Sequence, residues 1–152
     1  MSIPDGIICS IDSESISKKE HIFFKQTNPL GFILFSRNFN NKKQLIDLIN
    51  ELKNLTLNKS PFIFIDQEGG RVQRLKNSNF TIFPEQRFFG EIYKKNKEKS
   101  KKLSYLNAYL LANELKNVGI DINFSPVCDL YFNYANDIIG DRSFSSDPSI
   151  VK

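Results

Sequence analysis

Within nine residues, Asp66-Gln67-Glu68-Gly69-Gly70-Arg71-Val72-Gln73-Arg74 brings together two carboxylates, two glycines and two arginines. The segment follows the apolar run Phe62 to Ile65, which reads as a buried strand opened by Pro61. In parallel α/β folds the C-terminal ends of the strands face the ligand, so polar recognition groups belong there. An Asp at position 66 could accept hydrogen bonds from two neighbouring sugar hydroxyls. An arginine can donate a bidentate pair to hydroxyl, carbonyl or carboxylate oxygens. A plainer reading is a glycine turn whose acids and arginines pair with each other, and residue types alone leave both open. Carboxylates also suit Mg²⁺, but no further ligands accompany Asp66 and Glu68, so no metal is expected. Gly69-Gly70 lacks the spacing and the terminal Lys-Ser/Thr of a phosphate loop, and no G-x-G-x-x-G is present.

A second candidate runs from Pro126-Val127-Cys128-Asp129 to Ile139-Gly140-Asp141-Arg142-Ser143-Phe144. Again an Asp follows a strand, and an Arg sits in a glycine-containing turn. The plain alternative is an ion pair of Arg142 with Asp141 or Asp129. The single histidine, His21, leaves no pair for a metal or a proton relay, and Cys9 and Cys128 make neither a zinc quartet nor a disulfide-rich scaffold.

These groups need elements to hold them. Gly6 to Ile11 reads as a buried strand, and Ser17 with Glu20 has capping-box spacing, so a helix opens there and runs toward Gln26. Asn28-Pro29 stops it. Gly31 to Phe35 is a continuous apolar run suited to a parallel strand covered on both faces. Asn40 or Asn41 caps a helix whose Leu45, Leu48, Ile49, Leu52 and Leu55 form one apolar stripe. After strand three a polar segment is expected, then a short helix introduced by Pro84 through Phe88-Phe89. The basic stretch Lys94 to Lys102 reads as a solvated loop and helix start. It leads into a helix with Leu103, Leu106, Leu110, Leu111, Leu115 and Val118 on its buried side, capped by Gly119. Ile120 to Phe124 is the fourth strand, and Asp147-Pro148 begins another helix. Alternating strands and helices imply an α/β fold with a parallel sheet. A full (β/α)8 barrel takes about 250 residues, so four units make a half-barrel.

Composition sets outer limits. With 40% hydrophobic and 25% charged residues the chain has the material for a core and is not of disordered type. A net charge of +4 without a clustered basic face interleaved with aromatics argues against nucleic acid. No apolar run reaches membrane-spanning length, and Met1 to Asp5 shows no leader pattern. A cytoplasmic protein is therefore expected.

The stretch DQEGGRVQR at 66–74 resembles the signature of the bacterial β-N-acetylhexosaminidases of glycoside hydrolase family 3, the NagZ type. GFILFSRNF at 31–39, INFSPVCD at 122–129 and IGDRSFSSDP at 139–148 resemble further blocks of that family in the same order. The resemblance implies a (β/α)8 TIM barrel of which residues 1–152 form the N-terminal part. It implies an exo-acting, retaining hydrolase that removes terminal β-linked N-acetylglucosamine from glycosides such as muropeptides in peptidoglycan recycling, without metal or organic cofactor. Asp66 matches the family's residue for the terminal sugar's hydroxyls, and Arg74 and Arg142 match arginines lining that subsite. Asp129 lies in a matching motif with no role carried over. The family's nucleophilic Asp, its acid/base His and its K-H-F-P-G-H-G stretch match no position here, so no catalytic residue is expected within 1–152. The expected partner is a complementary C-terminal half-barrel. The alternative is a noncatalytic remnant that self-associates or binds sugar weakly.

Overall fold

The computed structural model describes residues 5–57, 60–76, 79–134 and 136–152. Four strands, β1 (Asp5–Ser10), β2 (Pro29–Leu34), β3 (Phe62–Ile65) and β6 (Ile122–Asn123), form one sheet in that order with every pairing parallel. Between them run α1 (Lys18–Thr27), α2 (Lys42–Leu55), α3 (Gln86–Lys95) and α4 (Lys97–Asn117), and α5 (Pro148–Val151) closes the chain. Sequential parallel strands with helical crossovers are the repeating unit of a TIM-type barrel, here four units.

Local signals explain most helix ends. Ser17 and Glu20 form the expected capping box: the Glu20 N–H donates to Ser17 Oγ at 3.2 Å and the Ser17 N–H to Glu20 Oε2 at 2.8 Å. Asn41 Oδ1 accepts from the Gln44 N–H at 3.0 Å to open α2. All five residues of the predicted α2 stripe are buried. They meet Phe32, Leu34, Ile63 and Ile65 from β2 and β3, with Leu111 and Leu115 from α4, in one core.

Five expectations need correction. β1 is mostly exposed rather than buried, with Ile7 and Ile8 each 43% accessible, because it is an edge strand. On α4 only Leu111 and Leu115 of the predicted leucines are buried; Leu106 and Leu110 face water at 42% and 57%, since no described element packs over that side. The helix after Pro84 is longer than expected, starting at Gln86 and ending at Lys95. The basic stretch straddles α3 and α4, with Asn96 capping α4 through the Lys99 N–H. The fourth strand shrinks to Ile122–Asn123.

The sheet face away from the core carries Ile8, Gly31, Ile33, Phe62, Phe64 and Phe124. Strand alternation and register put them together. Phe62 and Phe124 are 46% and 47% exposed, while Phe64 stacks on Phe124 with ring centroids 5.5 Å apart. Among the described residues no helix is long and apolar enough to cross a membrane.

Candidate functional site

The chain does not drift into a plain loop after β3. It folds back as an antiparallel hairpin, β4 (Gln67–Gly69) and β5 (Val72–Gln73), turning through Gly69 and Gly70 at φ 98° and 57°. Such positive φ values favour glycine, and a side chain at 69 would also strike the Pro84 carbonyl. Two buried glutamines hold the hairpin. Gln67 Oε1 accepts from the Arg74 and Leu75 N–H groups at 2.9 and 3.1 Å, and Gln73 Oε1 accepts from the Phe83 N–H at 3.1 Å. Asn123 at the end of β6 takes the Gln67 N–H at 2.8 Å and donates back to its carbonyl at 2.9 Å. The acidic motif is thereby fixed to the end of the neighbouring strand β6.

On this base the acids meet arginines. Asp66 accepts from Arg74 Nη2 at 2.9 Å, both side chains being about three-quarters buried. Glu68, only 4% exposed, receives Arg142 through Nε at 3.0 Å and Nη2 at 2.8 Å, a bidentate pair. The Glu68 hydrogen bonds push Arg142 still higher in pKa than a free guanidinium; burial pulls the other way, and the charges of Glu68, Asp66 and Asp129 add to the upward shift. Arg142 Nη1 also donates to the Ile138 carbonyl at 3.1 Å. The Arg74 guanidinium lies 5.5 Å from the Phe35 ring centroid, with Arg37 at 4.7 Å.

Asp66, Arg74 and Arg142 are therefore brought to one place at the strand ends. Arg142 pairs with neither Asp141 nor Asp129, the partners considered from sequence; Glu68 takes it, and Asp141 binds Arg71 Nε at 2.8 Å. Asp66 and Glu68 are each paired with an arginine rather than with each other. His21 sits near the start of α1, outside this arrangement.

Arg87 escaped sequence reasoning, and Arg71, read there only as part of the 66–74 motif, has a task the sequence did not show. Arg71 Nη2 donates to the carbonyls of Asp137, Ile138 and Ile139. Arg87 on α3 donates to the carbonyls of Ser143 and Gly140 at 3.2 and 3.1 Å and lies 4.2 Å from the Tyr131 ring centroid. Together they fasten the loop that carries Arg142. Most of their hydrogen-bond partners are main-chain oxygens, which leave no mark in a sequence.

A family model described as the glycosyl hydrolase family 3 N terminal domain matches residues 8–152. A β-hexosaminidase of Hydrogenovibrio crunogenus is 39% identical over 152 residues, 99% of this chain and 42% of that protein. One from Bordetella avium is 32% identical over 148 residues, 97% of this chain and 42% of the relative. Among solved structures, NagZ from Neisseria gonorrhoeae in complex with N-trifluoroacetyl-D-glucosamine superimposes with a TM-score of 0.89 at 36% identity. That match covers 98% of this chain and 44% of the NagZ chain. The chain thus spans less than half the length of these relatives. With the parallel βα units and the acid–arginine rim already described, this match over nearly its whole length means that the chain belongs to glycosyl hydrolase family 3, through that family's N-terminal domain.

Proposed function

We propose that residues 1–152 are the N-terminal part of the TIM barrel of a β-N-acetylhexosaminidase, and that they supply the rim holding a terminal β-linked N-acetylglucosamine. The observation that carries this reading is the convergence of Asp66–Arg74 and Glu68–Arg142 at the ends of parallel strands. Asp66 keeps one carboxylate oxygen beyond its arginine contact for sugar hydroxyls. Arg74 and Arg142 keep N–H groups for hydroxyl or amide oxygens. The Neisseria NagZ structure, which holds a glucosamine derivative, supports a sugar ligand of this class.

The hydrolytic step falls to groups outside this rim. Retaining glycosidases use a nucleophile and an acid/base about 5–5.5 Å apart, and Asp66 and Glu68 are each engaged by a cation instead. A complementary C-terminal half-barrel would bring the missing pair and cover the apolar sheet face. The substrate class is a glycoside such as a muropeptide, the setting is peptidoglycan recycling in the cytoplasm, and no metal or organic cofactor takes part. The exposed Ile8, Phe62 and Phe124 favour one competing reading, a noncatalytic half-barrel that self-associates.

The test is titration of N-acetylglucosamine into this chain, followed by the amide spectrum, with a chromogenic N-acetylglucosaminide assayed in parallel. Binding lost in Asp66→Asn, with no turnover by the chain alone, is the expected result. Turnover that disappears in Asp66→Asn or Glu68→Gln would overturn the assignment of catalysis to other groups.

A further inference from the structure

We propose that Glu68 is a positioning and specificity-determining residue: it fixes Arg142 and cancels its charge, so that the rim takes uncharged hydroxyl and amide groups and turns anions away. This rests on the sugar-site reading above. A guanidinium carries five N–H donors in one plane. Arg142 gives one from Nε and one from Nη2 to Glu68, and one from Nη1 to the Ile138 carbonyl. Two donors remain, and their directions are set, because docking the Nε–Nη2 edge on a carboxylate fixes the plane. The carboxylate itself cannot wander. Glu68 is nearly fully buried in β4, and its neighbour Gln67 is tied through its main-chain N–H and carbonyl to the side-chain amide of Asn123.

The same pair sets the charge around Arg142. An unpaired arginine beside a strand end is a ready anion site. Here Arg74 is matched by Asp66 and Arg142 by Glu68, and Arg71 by Asp141. Asp129 adds a further negative charge within reach of Arg142. A sulfate, phosphate or carboxylate approaching the two remaining donors would meet carboxylates, whereas a neutral hydroxyl or amide oxygen meets oriented N–H groups without that repulsion.

The experiment compares wild type, Glu68→Gln, Arg142→Gln and the double variant of this chain. N-acetylglucosamine binding is followed by NMR in the absence and presence of inorganic sulfate at constant ionic strength. In wild type sulfate does not compete. Glu68→Gln weakens sugar binding about tenfold, the loss of one well-placed charge-assisted contact, and sulfate now displaces the sugar. Arg142→Gln also weakens binding, and adding Glu68→Gln to it changes neither sugar affinity nor sulfate response. A purely structural role for Glu68 would not produce the sulfate response. Glu68→Asp keeps the charge but withdraws the carboxylate, so it lowers sugar affinity while still excluding sulfate; it serves if the glutamine variant fails to fold. If Glu68→Gln binds sugar like wild type and ignores sulfate while Arg142→Gln loses the sugar, the role of Glu68 is refuted and the sugar site stands. If wild type does not bind, or Arg142→Gln binds equally well, the sugar-site reading falls and this proposal falls with it.

Discussion

Removing Arg142 strands a charge. In Arg142→Gln, Glu68, whose side chain is 4% exposed in the native pair, loses the donors to both of its oxygens. An ion pair on an open surface contributes about 0–1 kcal/mol, and breaking a fully buried one costs about 3–5 kcal/mol. Because the Arg142 side chain is 24% exposed, the expected loss lies between these limits, about 2–3 kcal/mol. Glu68→Gln is milder, about 1–2 kcal/mol, because the released guanidinium can turn toward water. The double variant leaves no uncompensated buried charge, so its cost falls short of the sum by about 1–2 kcal/mol. Urea unfolding followed by far-UV circular dichroism at pH 7 measures all four forms, and an unchanged m-value shows that stability alone has moved. Additive losses to within about 0.5 kcal/mol would refute the coupling.

Other perturbations give separate readings. Gly90→Ala should destabilise by about 1–3 kcal/mol, as overpacking does, because a Cβ there runs into the Phe144 carbonyl; urea unfolding checks it. Arg71→Ala should speed hydrogen exchange and proteolysis in 136–146 more than in the core, since it releases three carbonyls and Asp141 at once. Burial raises the pKa of Glu20, but hydrogen bonds from Ser17 Oγ, the Ser17 N–H and the Asp12 N–H outweigh it and leave the group lowered from 4.5. A lowered carboxylate contributes stability that is present above its unfolded pKa and lost as pH falls through the folded value. Ser17→Ala should therefore cost about 1 kcal/mol at pH 7 and flatten the acid side of the stability curve, measured by thermal unfolding between pH 3 and 7.

Where a pattern is local, residue order was enough to read it. The Ser17–Glu20 box, the α2 stripe and the apolar strands β2 and β3 each follow from spacing within a few turns or a few residues. The end of β3 was legible as a place for polar recognition, because apolar residues stop abruptly at Asp66. The hairpin was not, since strands of three and two mostly polar residues carry no measurable alternation. The partner of Arg142 lies 74 positions away in Glu68, a distance that only chain closure resolves. Leu106 and Leu110 misled because periodicity shows which residues share a face, not how much of that face a neighbour covers.

Arg71 and Arg87 grip the segment around Arg142 by its carbonyls, and every amino acid carries one. Its fastening is therefore indifferent to the side chains that project outward, such as Phe132 and Tyr134. Evolution or an engineer can rewrite those outward positions without redesigning the anchor beneath them.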